Sequence, residues 1–203
     1  MQTIAVMSQK GGSGKTTLAV NLLSLLEGRK IGFDVDPQRS FSSWAGLREP
    51  RQPVTACSSM DLERHLVEAD QQGMDWAVVD TAPHAEAGAG LVARFANLAI
   101  VPFIPSVFDL MAAGGIVDIL RASECPAVFV LNKCTARTAE IEQAMNWLQE
   151  KYPAVPVADV FLFNRIIYSR AALSGCGVCE YEPNGTAANE IRRLWENLKG
   201  FMQ

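Results

Sequence analysis

The chain has 203 residues, of which 49% are apolar and 20% charged, and its formal net charge is −4. That balance suits a globular protein with a sizeable core. No apolar run approaches the ~20 residues of a membrane span, and the opening MQTIAVMSQKGG lacks the basic start, apolar core and small-residue cleavage site of a secretory leader. The cysteines at 57, 125, 134, 176 and 179 do not form a secreted disulfide framework, so a cytoplasmic protein is expected. The acidic balance leaves any nucleic-acid contact to a local patch.

In chain order, the first strand is predicted at TIAVM (3–7), followed by a helix from Thr16 with Leu18, Leu22, Leu25 and Leu26 on one face. Further strands are predicted at KIGFDVD (30–36), the less apolar PVTAC (53–57), DWAVVD (75–80), LAIVPF (98–103), PAVFVLN (126–132) and VADVFLF (157–163). Helices are predicted near 61–72, where Leu62, His65, Leu66 and Ala69 recur at helical spacing, and near 85–96, 108–122, 138–151 and 186–199. The strand runs are continuously apolar rather than alternating, which suits a parallel sheet covered by helices on both faces. The expectation is an α/β fold: a single doubly wound domain over residues 1–203, with a mostly parallel central sheet.

The stretch SQKGGSGKTT (8–17) joins the first strand to the first helix. A phosphate-binding loop needs backbone N–H groups that converge on anionic oxygens, which glycine permits. It needs a helix N-terminus facing the anion, a lysine for the β/γ-phosphates and a hydroxyl for Mg²⁺. Gly11, Gly12, Ser13 and Gly14 meet the first need, the helix beginning at Thr16 and Thr17 the second, and Lys15 with Thr16 the third. These residues form the predicted nucleotide-binding set of a P-loop NTPase, with Thr16 a Mg²⁺ ligand. The general pattern G-x-x-x-x-G-K-[ST] would put its first glycine at position 9. The chain has Gln9 there, and a second lysine, Lys10, stands beside it.

KGGSGKTT resembles the deviant Walker A box, x-K-G-G-x-G-K-[ST], of the ParA/MinD family of P-loop ATPases. The resemblance implies ATP and Mg²⁺ as cofactors, ATP hydrolysis as the reaction, and a homodimer formed on ATP that sandwiches two nucleotides. It implies that Lys15 serves its own nucleotide and that Lys10 reaches the partner's, which ties charge stabilisation on the transferred phosphoryl group to dimerisation. FDVDPQRS (33–40) resembles the family's D-x-D-P-Q box. That carries a catalytic role beside the attacking water to Asp36, a structural one to Asp34 and an auxiliary one to Gln38; a carboxylate beside Mg²⁺ and phosphates stays ionised and can orient water. WAVVDTAP (76–83) has the Walker B shape, an apolar strand delivering Asp80 at its carboxyl end, where ligands of open α/β sheets bind. Asp80 is assigned to Mg²⁺ through water. Asn132, at the end of the strand in VFVLNKC, offers a donor and an acceptor to the edge of adenine, as an asparagine does in the family. VPFIPS (101–106) resembles a proline-containing family segment and is expected near the nucleotide without assigned chemistry.

Within the family the chain is most similar to the small ParA-type partition ATPases, since it begins at the first strand without the helix-turn-helix extension of larger members. That implies an ATP-state dimer that binds DNA nonspecifically and is nucleoid-associated. A ParB-like adaptor protein at a centromere-like site would stimulate slow hydrolysis and release it. The last helix places Ile191, Leu194, Trp195 and Leu198 on one face and Arg192, Arg193 and Lys199 on the other. These arginines, with Arg165 and Arg170, are candidate DNA contacts, and the basic REPRQP (48–53) is a candidate DNA or partner loop. A MinD-like membrane-associated positioning ATPase is an alternative, but only FMQ follows Gly200, too little for stable membrane anchoring. The other alternative, an Mrp-type iron–sulfur carrier, needs Cys176 and Cys179 of CGVC to hold metal. SGCGVCE aligns better with the segment before the last helix of partition ATPases, so ordinary reduced thiols are expected. His65 and His84 are separated and make no metal site. A cargo of plasmid, chromosome or protein complex is left open.

Overall fold

Alternate residues of a strand point to opposite faces of its sheet, and here both faces are buried. Ile4 and Val6 enter one core with Val78, Leu98, Ile100, Val128 and Val130, while Ala5 and Met7 enter a second with Ala77, Val79, Ala99, Val101, Phe129 and Leu131. That double burial is why the strand runs lack an apolar/polar alternation. The computed structural model describes residues 1–83, 86–135 and 138–202. The elements run β1 (Gln2–Val6), α1 (Lys15–Leu25), β2 (Lys30–Asp34), α2 (Ser40–Gly46), β3 (Val54–Ala56), α3 (Leu62–Gln71), β4 (Trp76–Asp80) and α4 (Glu86–Phe95). They continue with β5 (Leu98–Phe103), α5 (Val107–Met111), α6 (Ala113–Ala122), β6 (Ala127–Leu131), α7 (Thr138–Lys151), α8 (Ile166–Leu173), α9 (Val178–Tyr181) and α10 (Thr186–Lys199).

The strands form one parallel sheet in the order β3-β2-β4-β1-β5-β6. The doubly wound α/β expectation therefore holds. Helices α1, α2, α8, α9 and α10 cover the first core; α3, α4, α5, α6 and α7 cover the second. Register matters for the site: Val6 lies opposite Asp80, and so does Asp34, so the ends of β1, β2 and β4 are level. No described helix is long and apolar enough to cross a membrane.

Three local expectations differ from the structure. The run 157–163 is not a strand. It touches β6 through an isolated bridge from Val157 to Phe129, and the segment beyond β6 through one from Phe163 to Cys134, while Ala158 and Leu162 donate to the Phe129 and Leu131 carbonyls. Three residues, 159–161, bulge out between those two bonds, opposite the single residue Val130, so no ladder forms. The predicted helix 108–122 is two helices joined at Ala112, just before Gly114 and Gly115, which hold a helix poorly. The short helices α2, α8 and α9 carry too few turns to show a period. Residue 85 of the predicted helix 85–96 lies outside the described residues, as does His84; the helix itself runs from Glu86.

Gly32 in β2 lets α2 seat against the sheet. A Cβ there would lie 2.7 Å from the Phe41 ring and 2.9 Å from Val54. Phe41 is fully buried and stacks on Trp44. Gly32→Ala is therefore expected to lower the unfolding free energy by about 1–3 kcal/mol, seen as a lower urea midpoint at constant slope. Adding Phe41→Leu should recover part of the loss, and a single variant with an unshifted midpoint would rule the contact out.

Candidate nucleotide site

The loop after β1 turns into α1 through left-handed glycines: Gly12 has φ +80° and Gly14, the residue before the helix, φ +96°. Other residues reach that region only at a cost. At Gly14 the lack of a side chain is also steric, since a Cβ would lie 2.2 Å from Asn132 Nδ2. Gly11, Gly12, Gly14, Lys15, Thr16 and Thr17 line a cavity of ≈ 260 Å³ together with Asp36, Pro83 and Lys133. The free N–H groups of α1 open at this place, which is the arrangement that binds phosphate. A larger hollow of ≈ 560 Å³, lined by Leu25, Leu26, Trp76 and Trp195 among others, lies at the other end of α1, away from this chemistry.

Lys15 is the first residue of α1, and its ammonium donates to the Lys10 carbonyl at 3.2 Å. Burial lowers its pKa, while the charges of Asp80 and Asp36 act the other way. A desolvated lysine in that position gains strongly from an added anion. Thr16 Oγ1 donates to Asp80 Oδ2 at 2.6 Å, and Asp80 Oδ1 is buried with no hydrogen-bond partner. Burial pushes the Asp80 carboxyl up to about 7, against the Thr16 hydrogen bond. These groups fit Mg²⁺: it prefers hard oxygen ligands, and its charge would hold Asp80 ionised. Thr16 would hold the ion directly and Asp80 from the strand end. Bound there, Mg²⁺ supplies neutralisation of charge on the phosphates.

Asp34 is buried and accepts from Asp36 N–H at 3.2 Å and from both the N–H and the hydroxyl of Ser42 at 2.8 Å. Its charge thus satisfies the first turn of α2 and fixes the turn that carries Asp36. Asp36 faces the cavity and accepts from Gln38 N–H, while Gln38 itself is exposed. Lys10 does not line the cavity. Its ammonium forms an ion pair with Asp109 on α5.

Asn132 takes a different place from the one expected. It is buried beneath the loop, where Nδ2 donates to Ser13 O at 2.8 Å and Oδ1 accepts from Lys133 N–H at 2.9 Å. One of its two N–H donors and one lone pair of its oxygen are thus engaged in supporting the loop from beneath. Two residues near the loop escaped the sequence reading. Lys133, in the left-handed region at φ +53°, donates to the Gly12 carbonyl at 2.7 Å. Asp109 lies three residues past the segment 101–106 expected near the nucleotide; its local signal is Ser106-x-x-Asp109, a helix-capping spacing in which Ser106 accepts from Asp109 N–H.

The remaining predicted contacts are dispersed. Arg165 is bound by Glu190, with Nη2 at 2.6 Å and Nε at 3.0 Å, and lies over the Phe163 ring. Arg192 donates to Asn189, whereas Arg170 and Arg193 are exposed. In the 48–53 stretch, Arg48 is not a free basic side chain: it grips Glu180 at 2.7 Å and the Gly175 carbonyl at 2.9 Å. The thiols of Cys176 and Cys179 donate to the Ser174 and Ala188 carbonyls, and burial raises the Cys179 pKa. Among the described residues, no group of three or more His, Cys, Asp or Glu side chains is placed to hold a metal. His65 lies against Phe33 and Glu68.

A parallel sheet with a glycine loop between β1 and α1, a threonine–aspartate pair at the strand ends and a desolvated lysine define a P-loop nucleotide hydrolase. Residues 4–177 match the family described as the CobQ/CobB/MinD/ParA nucleotide binding domain, and the chain belongs to that family. It is an ATPase of the ParA/MinD type. It is 29% identical over 205 residues to the maintenance of carboxysome distribution protein A of Halothiobacillus neapolitanus, covering 95% of this chain and 94% of that one. It is 32% identical to a ParA of Rhizobium radiobacter over 114 residues, covering 54% and 51%. Its fold superposes on apo McdA of Cyanothece with a TM-score of 0.80 at 14% identity, covering 98% and 99%.

Because Asn132 holds the loop by the Ser13 carbonyl, Asn132→Ala is expected to weaken ATP and GTP analogues by the same factor. That factor is roughly tenfold, the effect of about 1.4 kcal/mol. Titration with fluorescent analogues of both nucleotides measures it; a loss confined to ATP would restore the adenine-reading role.

Proposed function

We propose that this chain is a ParA-type positioning ATPase. Its ATP-bound form is a sandwich dimer that binds DNA nonspecifically, and an adaptor protein bound to the cargo stimulates slow hydrolysis and releases it. The observation that carries this reading is the orientation of the loop's two lysines: Lys15 lines its own site, whereas Lys10 is turned out of the cavity and paired with Asp109, so it does not serve its own nucleotide there. Lys10, Lys15 and Asp36 form the catalytic set, with Lys15 and Lys10 stabilising phosphoryl charge and Asp36 orienting water.

On cargo, the relative named for carboxysome distribution aligns over nearly the whole of both chains, while the partition protein aligns over about half. That supports a protein assembly as cargo, with DNA as the matrix along which it moves. Arg170 and Arg193 are the exposed members of the proposed DNA face; Arg165 and Arg192 contribute only if they leave Glu190 and Asn189.

The test is a gel shift on nonspecific duplex DNA with no nucleotide, ADP, ATP and a non-hydrolysable ATP analogue, across a salt series. Binding is expected only with ATP or the analogue and should weaken steeply with salt, as phosphate contacts require. Absence of binding in every state removes DNA as the matrix. Asp36→Ala is expected to keep the ATP-dependent shift and lose hydrolysis by about 100-fold or more. Hydrolysis at the wild-type rate would remove Asp36 from the chemistry.

A further inference from the structure

Lys10 does not simply project into solvent. Its ammonium is paired with Oδ2 of Asp109, in the first turn of α5. Asp109 is 2% exposed and Lys10 41%, so the carboxylate is the buried partner. The same Oδ2 accepts from the Ser106 hydroxyl at 2.5 Å, and Oδ1 is buried with no hydrogen-bond partner among the described residues. A carboxylate so placed has Lys10 as its counter-charge, and losing that partner leaves a buried charge uncompensated. The neighbouring residue leans the same way: the Gln9 side chain lies 2.2 Å from where a Cβ of Gly115, on α6, would stand. Gln9, where the loop departs from the general phosphate-loop pattern, and Lys10 beside it therefore both reach onto the α5–α6 pair.

We infer that Asp109 is a positioning residue that holds Lys10 within its own subunit and must release it before Lys10 can reach the nucleotide of a second copy. The inference rests on the proposed ATP-dependent pairing. The ammonium cannot be paired with a buried carboxylate of its own chain and with a phosphate across an interface at full strength in both places. The Lys10–Asp109 pair therefore opposes association. Nucleotide phosphates on a second subunit must outcompete Asp109, so pairing without them is disfavoured. Ser106 aims the carboxylate, and the loop's lean onto α6 brings Lys10 to it.

The experiment uses the full chain as wild type, Asp109→Asn, Lys10→Gln and the double variant. Lys10 labelling by an amine-acylating reagent is followed by peptide mass spectrometry without nucleotide. Association is followed by analytical ultracentrifugation with a non-hydrolysable ATP analogue and Mg²⁺. In Asp109→Asn, Lys10 labelling is expected to rise and the midpoint concentration for association to fall. Each change should be about tenfold, corresponding to about 1.4 kcal/mol. In the Lys10→Gln background, Asp109→Asn should have no further effect on association. Equal labelling in wild type and Asp109→Asn would overturn the inference, as would an association midpoint that is unchanged or raised. If Asp109→Asn does not fold, wild type alone still decides. Lys10 should label about tenfold more slowly than Lys199, whose ion pair with Glu196 lies on the surface, with side chains 49% and 68% exposed, and holds the ammonium weakly; equal rates would overturn the pair. If neither wild type nor variant associates with the analogue, the pairing reading fails and this inference with it. Labelling then still reports the cis pair by itself, so the two failures are distinguishable.

Discussion

The phosphate loop has to pass from a central strand into a helix while another strand end presses against it from below. Gly14 meets Asn132 at a distance no side chain could share, and Asn132 holds the loop by the Ser13 carbonyl. Much else in the site follows from that contact. β6 lies two strands from β1, with β5 between them, so the loop must fold back across the end of β5 to be held. Asn132 is itself anchored to that end, since its N–H donates to the Phe103 carbonyl. The loop's shape is thus imposed by three strand ends rather than by its own residues, and glycine is what lets it comply.

The electrostatics of the site follow from the same burial. Lys15 and Asp80 are both taken out of water, so the lysine's pKa falls and the aspartate's rises. Each is displaced in the direction that its expected ligand would reverse: phosphate charge restores the ammonium, and a divalent cation restores the carboxylate. Groups fixed by the fold before the nucleotide arrives need little reorganisation when charge moves during phosphoryl transfer. The level ends of β1, β2 and β4 supply that rigidity, because the register that sets Val6 opposite Asp80 also sets Asp80 opposite Asp34.

Features carried by local spacing were legible in the sequence: the central strands, the phosphate loop, Asp80 at its strand end, and the apolar face of α10 with Ile191, Leu194 and Leu198. What escaped depends on partners distant in the chain. The start of α2 is satisfied by Asp34, eight residues before Ser42, so no capping residue stands next to the helix. Arg48 and Arg165 read as free basic side chains because Glu180 and Glu190 lie 132 and 25 residues away. The support Asn132 gives to Ser13 was not legible because it closes a separation of 119 residues that the fold alone brings together. The run 157–163 is apolar enough for a strand, yet its bulge opposite Val130 depends on how the segment meets β6.

The two carboxylates of β2 also show how the site is divided between the layers of the sandwich. Asp34 holds both the turn bearing Asp36 and the start of α2. Just beyond α2, Arg48 grips Glu180, whose Oε2 also accepts from Gly177 N–H at the head of α9. Val178 N–H then donates to Asn21 on α1, six residues past Lys15. Asp36 and Lys15 are therefore linked by an open path of hydrogen bonds and backbone within one helical layer, and a shift in α2 is resisted at α1. Lys10 answers to the other layer, through Asp109 on α5, with Gln9 against Gly115 on α6. A loop in which every contact ran to α1 and α2 could serve only its own nucleotide. Its lysines are split between two layers, Lys15 lining the cavity at the start of α1 and Lys10 paired outside it on α5, and the departure from glycine at position 9 is where that split begins.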